Sequence, residues 1–249
     1  METKLHLHIK PQPDDTTCGP TCLHAIYRYY GDKISLKQVI KEVPSLKSGG
    51  TIAVFLACHA LKRGYSATIY TYNLHVFDPS WFTPPLPPEG IAERLQAQME
   101  TKNSQKIRSA TKGYLEFLKL GGELRFEDLT AGLIRRYLKR SIPILTGLSS
   151  TYLYRTMREY GKEGIDDDIK GEPSGHFVVL CGYNSEARSV DIADPYQHNP
   201  FTGAQFYTVN IDRVSGAILL GVLTHDANFL IIQPKRTQKK TTDVDSHSR

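Results

Sequence analysis

No stretch of the 249 residues approaches the length of an apolar membrane span, and the opening METKLHLHIK lacks the apolar core of a secretory signal. Cysteine is sparse: Cys18, Cys22, Cys58 and Cys181 complete the set. Without a secretory signal these read as reduced thiols of a cytoplasmic protein. A disulfide-stapled extracellular binding protein is the alternative, and a count of free thiols in the denatured, unreduced protein separates the two. There is also no sustained Lys/Arg stripe interleaved with aromatics. The net charge is +5, but Lys235 to Arg249 hold five Lys/Arg against two Asp, so +3 of it lies in the last fifteen residues. The body is close to neutral, which argues against nucleic-acid binding. No repeat is visible. Paired metal-ligand spacings do not occur twice, so Cys18, Cys22, Cys58 and His59 make a poor zinc set, and no cofactor is expected.

What is present begins with KLHLHIK, where Leu5, Leu7 and Ile9 alternate with His6, His8 and Lys10 and predict a half-buried strand. Helical spacing follows from Cys18 to Gly31, with Pro20 suited to a first turn. Ser35 with Gln38 starts a second helix, and a third is expected from about 51 to 63, begun by Ser48–Gly50 and stopped by Gly64. SATIYTY then reads as a strand. DPSWFTPPLPPEG holds five prolines and opens an irregular crossing or lid. Helices are expected at roughly 89–103, 107–119 and 128–140. In the last third, IPILTGL, HFVVLCGY, SVDIAD, QFYTV and NFLIIQ predict an antiparallel sheet, with a helix in IDRVSGAILLGVL. Helices first and strands afterwards give the α+β class. The expectation is one domain over 1–234, with an insertion at about 76–140 and a disordered polar tail over 235–249.

Cys18 stands at the polar mouth of its helix, where unpaired N–H groups and the helix dipole favour a thiolate. A thiol nucleophile needs a base, and His176 opens an apolar strand directly after a Gly-containing loop, at a position able to fix an imidazole at a cleft rim. Asp194, before Pro195 at the end of the following strand, is placed to hold the imidazole's tautomer. Gln12, six residues before Cys18, offers a carboxamide to an oxyanion. Cys22, Cys58 and Cys181 read as core residues, with a redox role for Cys22 as the sharper alternative. His198, His225 and His247 read as surface residues, and Asp166–Asp168 as a solvated loop.

Gln12, CGPTCL six residues on, YYG, GGT leading to RGYSA, and GHFVVLCGY followed by VDIADP together resemble the papain-like cysteine peptidases that include the bacteriocin-processing, double-glycine leader peptidases. The resemblance covers roughly residues 5 to 75 and 140 to 200. It implies a papain-like α+β fold, with Cys18 as nucleophile, His176 as general base and acid, Asp194 as its orienting partner and Gln12 as oxyanion donor. The substrate would be a peptide or an amide-containing molecule. The processing peptidases are usually fused to a membrane transporter, and nothing here resembles one, so bacteriocin export is not implied. Substrate choice is expected to reside in the insertion. Two other readings stand beside hydrolysis: acyl transfer through the same thioester, and a non-catalytic peptide-binding module that keeps the fold.

Overall fold

The computed structural model describes residues 2–46, 49–161, 163–224 and 226–235. The tail expected to be disordered lies outside them except for Lys235, as do Ser48, His225 and His247. Strand β1 (Glu2–Lys4) is followed by α1 (Cys18–Tyr29), α2 (Leu36–Glu42), α3 (Ala53–Lys62) and β2 (Tyr65–Thr71). A 3-10 turn at Pro79–Trp81 precedes α4 (Pro88–Thr101), α5 (Gln105–Lys119), β3 (Glu123–Arg125) and α6 (Ala131–Leu138). The remainder is β4 (Ile144–Ser149), α7 (Ser150–Tyr154), the small hairpin β5 (Glu159–Tyr160) and β6 (Ile165–Asp166), β7 (Gly175–Asn184), β8 (Ser189–Ala193), β9 (Phe206–Asn210), α8 (Ile211–Leu220) and β10 (Asn228–Pro234).

The main sheet runs β3-β2-β10-β4-β7-β8-β9, with β1 also on β7. All its pairings are antiparallel except β2 with β3, so the fold is α+β with a largely antiparallel sheet, as expected. β4 is buried at every residue and β7 from Phe177 to Tyr183, which accounts for apolar runs without alternation. α1 is buried continuously from Cys18 to Tyr27, because it packs at once against β7, α2 and α3. It ends where Gly31 takes φ +80°. Asp32 just beyond receives Arg63 Nε at 2.7 Å and Nη2 at 2.6 Å, tying the end of α1 to the end of α3. Ser35 accepts the Gln38 N–H at 3.2 Å, the cap its spacing predicts.

Several expectations need correction. Leu5, Leu7 and Ile9 are buried and His6 and His8 exposed, yet this segment is not a strand: Leu5 N–H reaches Cys181 O, and Leu7 N–H turns back to Leu5 O. The period-two pattern recorded burial, while the ladder itself stops at Lys4. α3 begins at Ala53 rather than at Ser48–Gly50; Gly49 and Gly50 both take positive φ in the preceding turn. α6 is shorter than expected because Thr130, not a residue near 128, accepts the Leu133 N–H as its cap. β3, inside the insertion, joins the main sheet, and α7 and the β5–β6 hairpin carry no sequence signal strong enough to read.

Candidate active site

The turn before α1 is built on Asp14. Its Oδ1 accepts Thr16 N–H at 2.9 Å and Thr16 Oγ1–H at 2.7 Å, and its backbone carbonyl accepts Thr17 N–H and Thr17 Oγ1–H. The Thr16 hydroxyl bond, the strongest of these influences, holds the Asp14 carboxyl below its usual value despite partial desolvation. This turn delivers Cys18 as the first residue of α1, where backbone N–H groups are left without helical acceptors. Gly19 lets the helix start close to the opposite wall: a Cβ there would come within 2.6 Å of Thr51 Cγ2 and 3.2 Å of Phe177.

His176 lies at the start of β7, opposite Leu148 of β4, and Asp194 lies one residue past the end of β8, its neighbour. The two meet as Nε2 and Oδ1 at 2.8 Å. The Asp194 carboxylate also accepts Tyr196 N–H on Oδ1 at 2.8 Å, and on Oδ2 the hydroxyls of Tyr154 from α7 at 2.7 Å and Tyr207 from β9 at 2.6 Å. Burial alone would raise its pKa, but the His176 charge and hydrogen bond with the two tyrosines outweigh burial and bring it below the usual value. Burial would in turn depress the His176 imidazole; the Asp194 carboxylate, with a smaller contribution from Cys18, reverses that and raises it. With Nε2 committed to Asp194, Nδ1 is the ring nitrogen left for the thiol. His176 and Asp194 are therefore joined by a hydrogen bond, and Cys18 and His176 line the same cleft. Such an arrangement can hold a proton beside a sulfur nucleophile and return it to a departing amine.

Gln12 is close but differently engaged. Its backbone N–H donates to Pro195 O at 2.9 Å, which pins its loop to the strand end bearing Asp194. Its Nε2 donates one hydrogen to Asp14 O at 3.0 Å, while Oε1 is buried with no partner among the described residues. One amide hydrogen thus remains for another acceptor.

Two clefts meet at His176, sharing Asp15 and Gly175. One, of about 210 Å³, contains Cys18 and is walled mainly by apolar or small residues, among them Gly50, Ile52 and Phe177. Val76, Ile107 and Ala110 complete this wall. The other, of about 440 Å³, contains Gln12, Tyr196 and His198 and is edged by Glu159, Glu163 and Asp166 around the β5–β6 hairpin. His198, read from sequence as an ordinary surface residue, thus lines a cleft beside His176.

No family model and no curated protein matches this chain. Its structural neighbours are C39-type cysteine peptidase domains. A C39-like peptidase from Bacillus anthracis is 14% identical, with a TM-score of 0.48 over 96% of this chain and 100% of that one. Xylellain, a cysteine protease from Xylella fastidiosa, is 14% identical, with a TM-score of 0.45 over 94% of this chain and 86% of that one. A double-glycine-motif protease from an AMS/PCAT transporter, in complex with a leader peptide, is 13% identical, with a TM-score of 0.44 over 93% and 94%.

The other cysteines are committed elsewhere. Cys22 is fully buried and donates to Phe177 O at 3.2 Å, and burial pushes its thiol well up. Cys58 and Cys181 donate to Gly113 O and Asp191 O, and burial raises both to about 12. None of these environments favours a thiolate. His59 lies between Tyr27 and Glu42, so the zinc set conceivable on paper is not assembled. Tyr154 and Tyr207 are site residues that sequence reasoning missed. Nothing in their local sequence distinguishes them, since each reaches Asp194 through tertiary packing. Among the described residues no helix is long and apolar enough to cross a membrane.

Proposed function

We propose that this protein is a cysteine peptidase or amide hydrolase of papain-like type, acting on a peptide or amide bond through a thioester. The observation that carries this is a fully buried Asp194 hydrogen-bonded to His176, which lines the same open cleft as Cys18 at a helix N-terminus.

In this reading Cys18 Sγ, its proton held on His176 Nδ1, attacks the carbonyl carbon. The charge that develops on the carbonyl oxygen is met by the Cys18 backbone N–H and the remaining Gln12 amide hydrogen. His176 gives its proton to the departing amine, leaving an acyl group on Cys18. A water molecule, deprotonated by His176, then hydrolyses the thioester and restores the thiol. Asp194 keeps the imidazole in the orientation this requires, and Tyr154, Tyr207 and the Tyr196 N–H fix Asp194 in turn. Two clefts meeting at His176 give a substrate room on both sides of the reacting bond, which favours a peptide segment over a small amide. The segment at about 76–140 belongs to the same domain in this reading and sets specificity. A reducing, cytoplasmic setting suits the thiol.

The test is intact-mass spectrometry of the protein after mixing with a library of peptide thioesters and amides. An acyl adduct on Cys18 that decays in water, and is absent in Cys18→Ala, supports the reading. An adduct that decays only when an amine is added shifts it to acyl transfer, and peptide binding without any adduct shifts it to a binding module.

A further inference from the structure

A second carboxyl lies in the apolar cleft beside Cys18 and His176, and the chain of groups described above does not use it. Asp226 is 6% exposed, just before β10, and lines this cleft. Both of its side-chain hydrogen bonds fall on one oxygen: Oδ1 accepts the Ala53 N–H at the start of α3 at 3.1 Å and Asn228 Nδ2–H at 3.3 Å. Among the described residues Oδ2 receives no donor and no cation pairs with the carboxyl. The strand behind leaves room for it, since a Cβ on Gly147 of β4 would come within 2.5 Å of Asp226 O and 3.0 Å of Cγ.

We propose that Asp226 is the specificity group of this cleft and takes the ammonium of a substrate lysine side chain. The inference deepens the peptidase reading and rests on it. Ile52, Val76, Ile107 and Ala110 offer an apolar lining to the methylene stem, and Asp226, whose Oδ2 receives no donor among the described residues, lines the same cleft to meet its charged end. One free oxygen suits the point charge of an ammonium better than the two-pronged guanidinium of arginine, which needs both carboxylate oxygens. The cleft's own lysine, Lys106, is exposed at the rim. An asparagine would satisfy Ala53 and Asn228 equally well and avoid a buried charge, so a carboxyl here serves something outside the fold. Burial pushes this carboxyl up to about 7, so it is largely ionised only above neutrality and is ready to be fixed in that state by a cation.

The experiment uses internally quenched, acetyl-capped octapeptides carrying Lys, Arg, Met or norleucine at each position in turn, with wild type and Asp226→Asn at pH 8. A parallel set without lysine but with free N-termini separates a side-chain ammonium from an α-ammonium. The expected result is one position at which wild type prefers Lys over Met, with a lesser gain for Arg, and a loss of that kcat/KM ratio by roughly 30-fold in Asp226→Asn. Unchanged Lys-to-Met ratios in the variant, or a preference only for free N-termini, overturn the assignment while leaving the peptidase reading intact. Failure of wild type to cleave any peptide, with no adduct on Cys18, overturns the peptidase reading and the assignment with it.

Discussion

Among the described residues two histidines are bound to carboxylates, His59 and His176, and they differ in an instructive way. His59 Nε2 lies 2.9 Å from Glu42 Oε2, and His176 Nε2 lies 2.8 Å from Asp194 Oδ1. Both imidazoles are 9% exposed. The difference lies in what each ring does next. His59 has its other nitrogen closed by Tyr27 OH at 2.8 Å, so the ring clamps α1, α2 and α3 together and has no nitrogen left for chemistry. His176 has its Nδ1 left over by Asp194 and lines a cleft with Cys18. The carboxylates differ as well: Glu42 is 43% exposed and Asp194 is fully buried beneath two tyrosine hydroxyls. A carboxylate-histidine pair at hydrogen-bond distance is therefore not in itself a catalytic sign. An open second nitrogen and a buried, fully bonded carboxylate separate the two.

That contrast can be broken first at the reacting groups. Cys18→Ala and His176→Ala should each lower turnover by roughly 10⁴-fold or more, measured as hydrolysis of the best library peptide. Asp194→Ala comes next, since it leaves two tyrosine hydroxyls and an imidazole without their buried acceptor. It should cost about 3–5 kcal/mol in urea unfolding. The pH course of that loss follows from the two shifts. Asp194 is depressed, so its contribution is present above the ordinary 3.8 and lost as pH falls through its lower folded value. His176 is raised, so its contribution is complete below the ordinary 6.5 and lost as pH rises through its higher folded value. The deficit of Asp194→Ala should thus be largest between about pH 4 and 6.5 and shrink on either side.

Gln12→Ala should lower kcat by roughly 10²- to 10³-fold with little change in stability, because its side chain makes one partly exposed bond to Asp14 O. Tyr207→Phe removes one hydrogen bond to a charged acceptor and should cost about 1.5–3 kcal/mol while moving the acid limb of the activity profile upward. The clamp shows the opposite pattern. Glu42→Ala should leave both turnover and the thermal midpoint close to wild type, by calorimetry and peptide assay, because its exposed carboxylate is already solvated.

The legibility of this molecule follows the same division. Cys18 at a helix mouth, His176 at a strand start and Asp194 before Pro195 are each marked by neighbours in sequence; β7 and β8 being adjacent brings His176 to Asp194, and α1 packing on β7 puts Cys18 in the same cleft as His176. Tyr154 lies 40 residues and Tyr207 13 residues from Asp194, on elements whose local pattern says nothing of their partner. Asp226 is less legible still, because its character comes from the start of α3 and from Gly147 on β4 packing around it. The parallel pairing of β3 with β2 was hidden for a similar reason: three residues in a helical insertion carry no periodic signal. The Leu5–Ile9 segment shows the reverse case: its alternation predicts a ladder but records only which side chains face the core.

The most direct test of the central claim is the rate of Cys18 alkylation by iodoacetamide between pH 5 and 9, mapped by mass spectrometry in wild type and His176→Ala. The account predicts fast reaction of wild type at pH 5–6, where an unassisted thiol with a pKa of about 8.5 is protonated, and a drop of about tenfold or more in the variant at that pH. Equal rates in the two proteins, each rising only above pH 8, would contradict a thiolate held by His176.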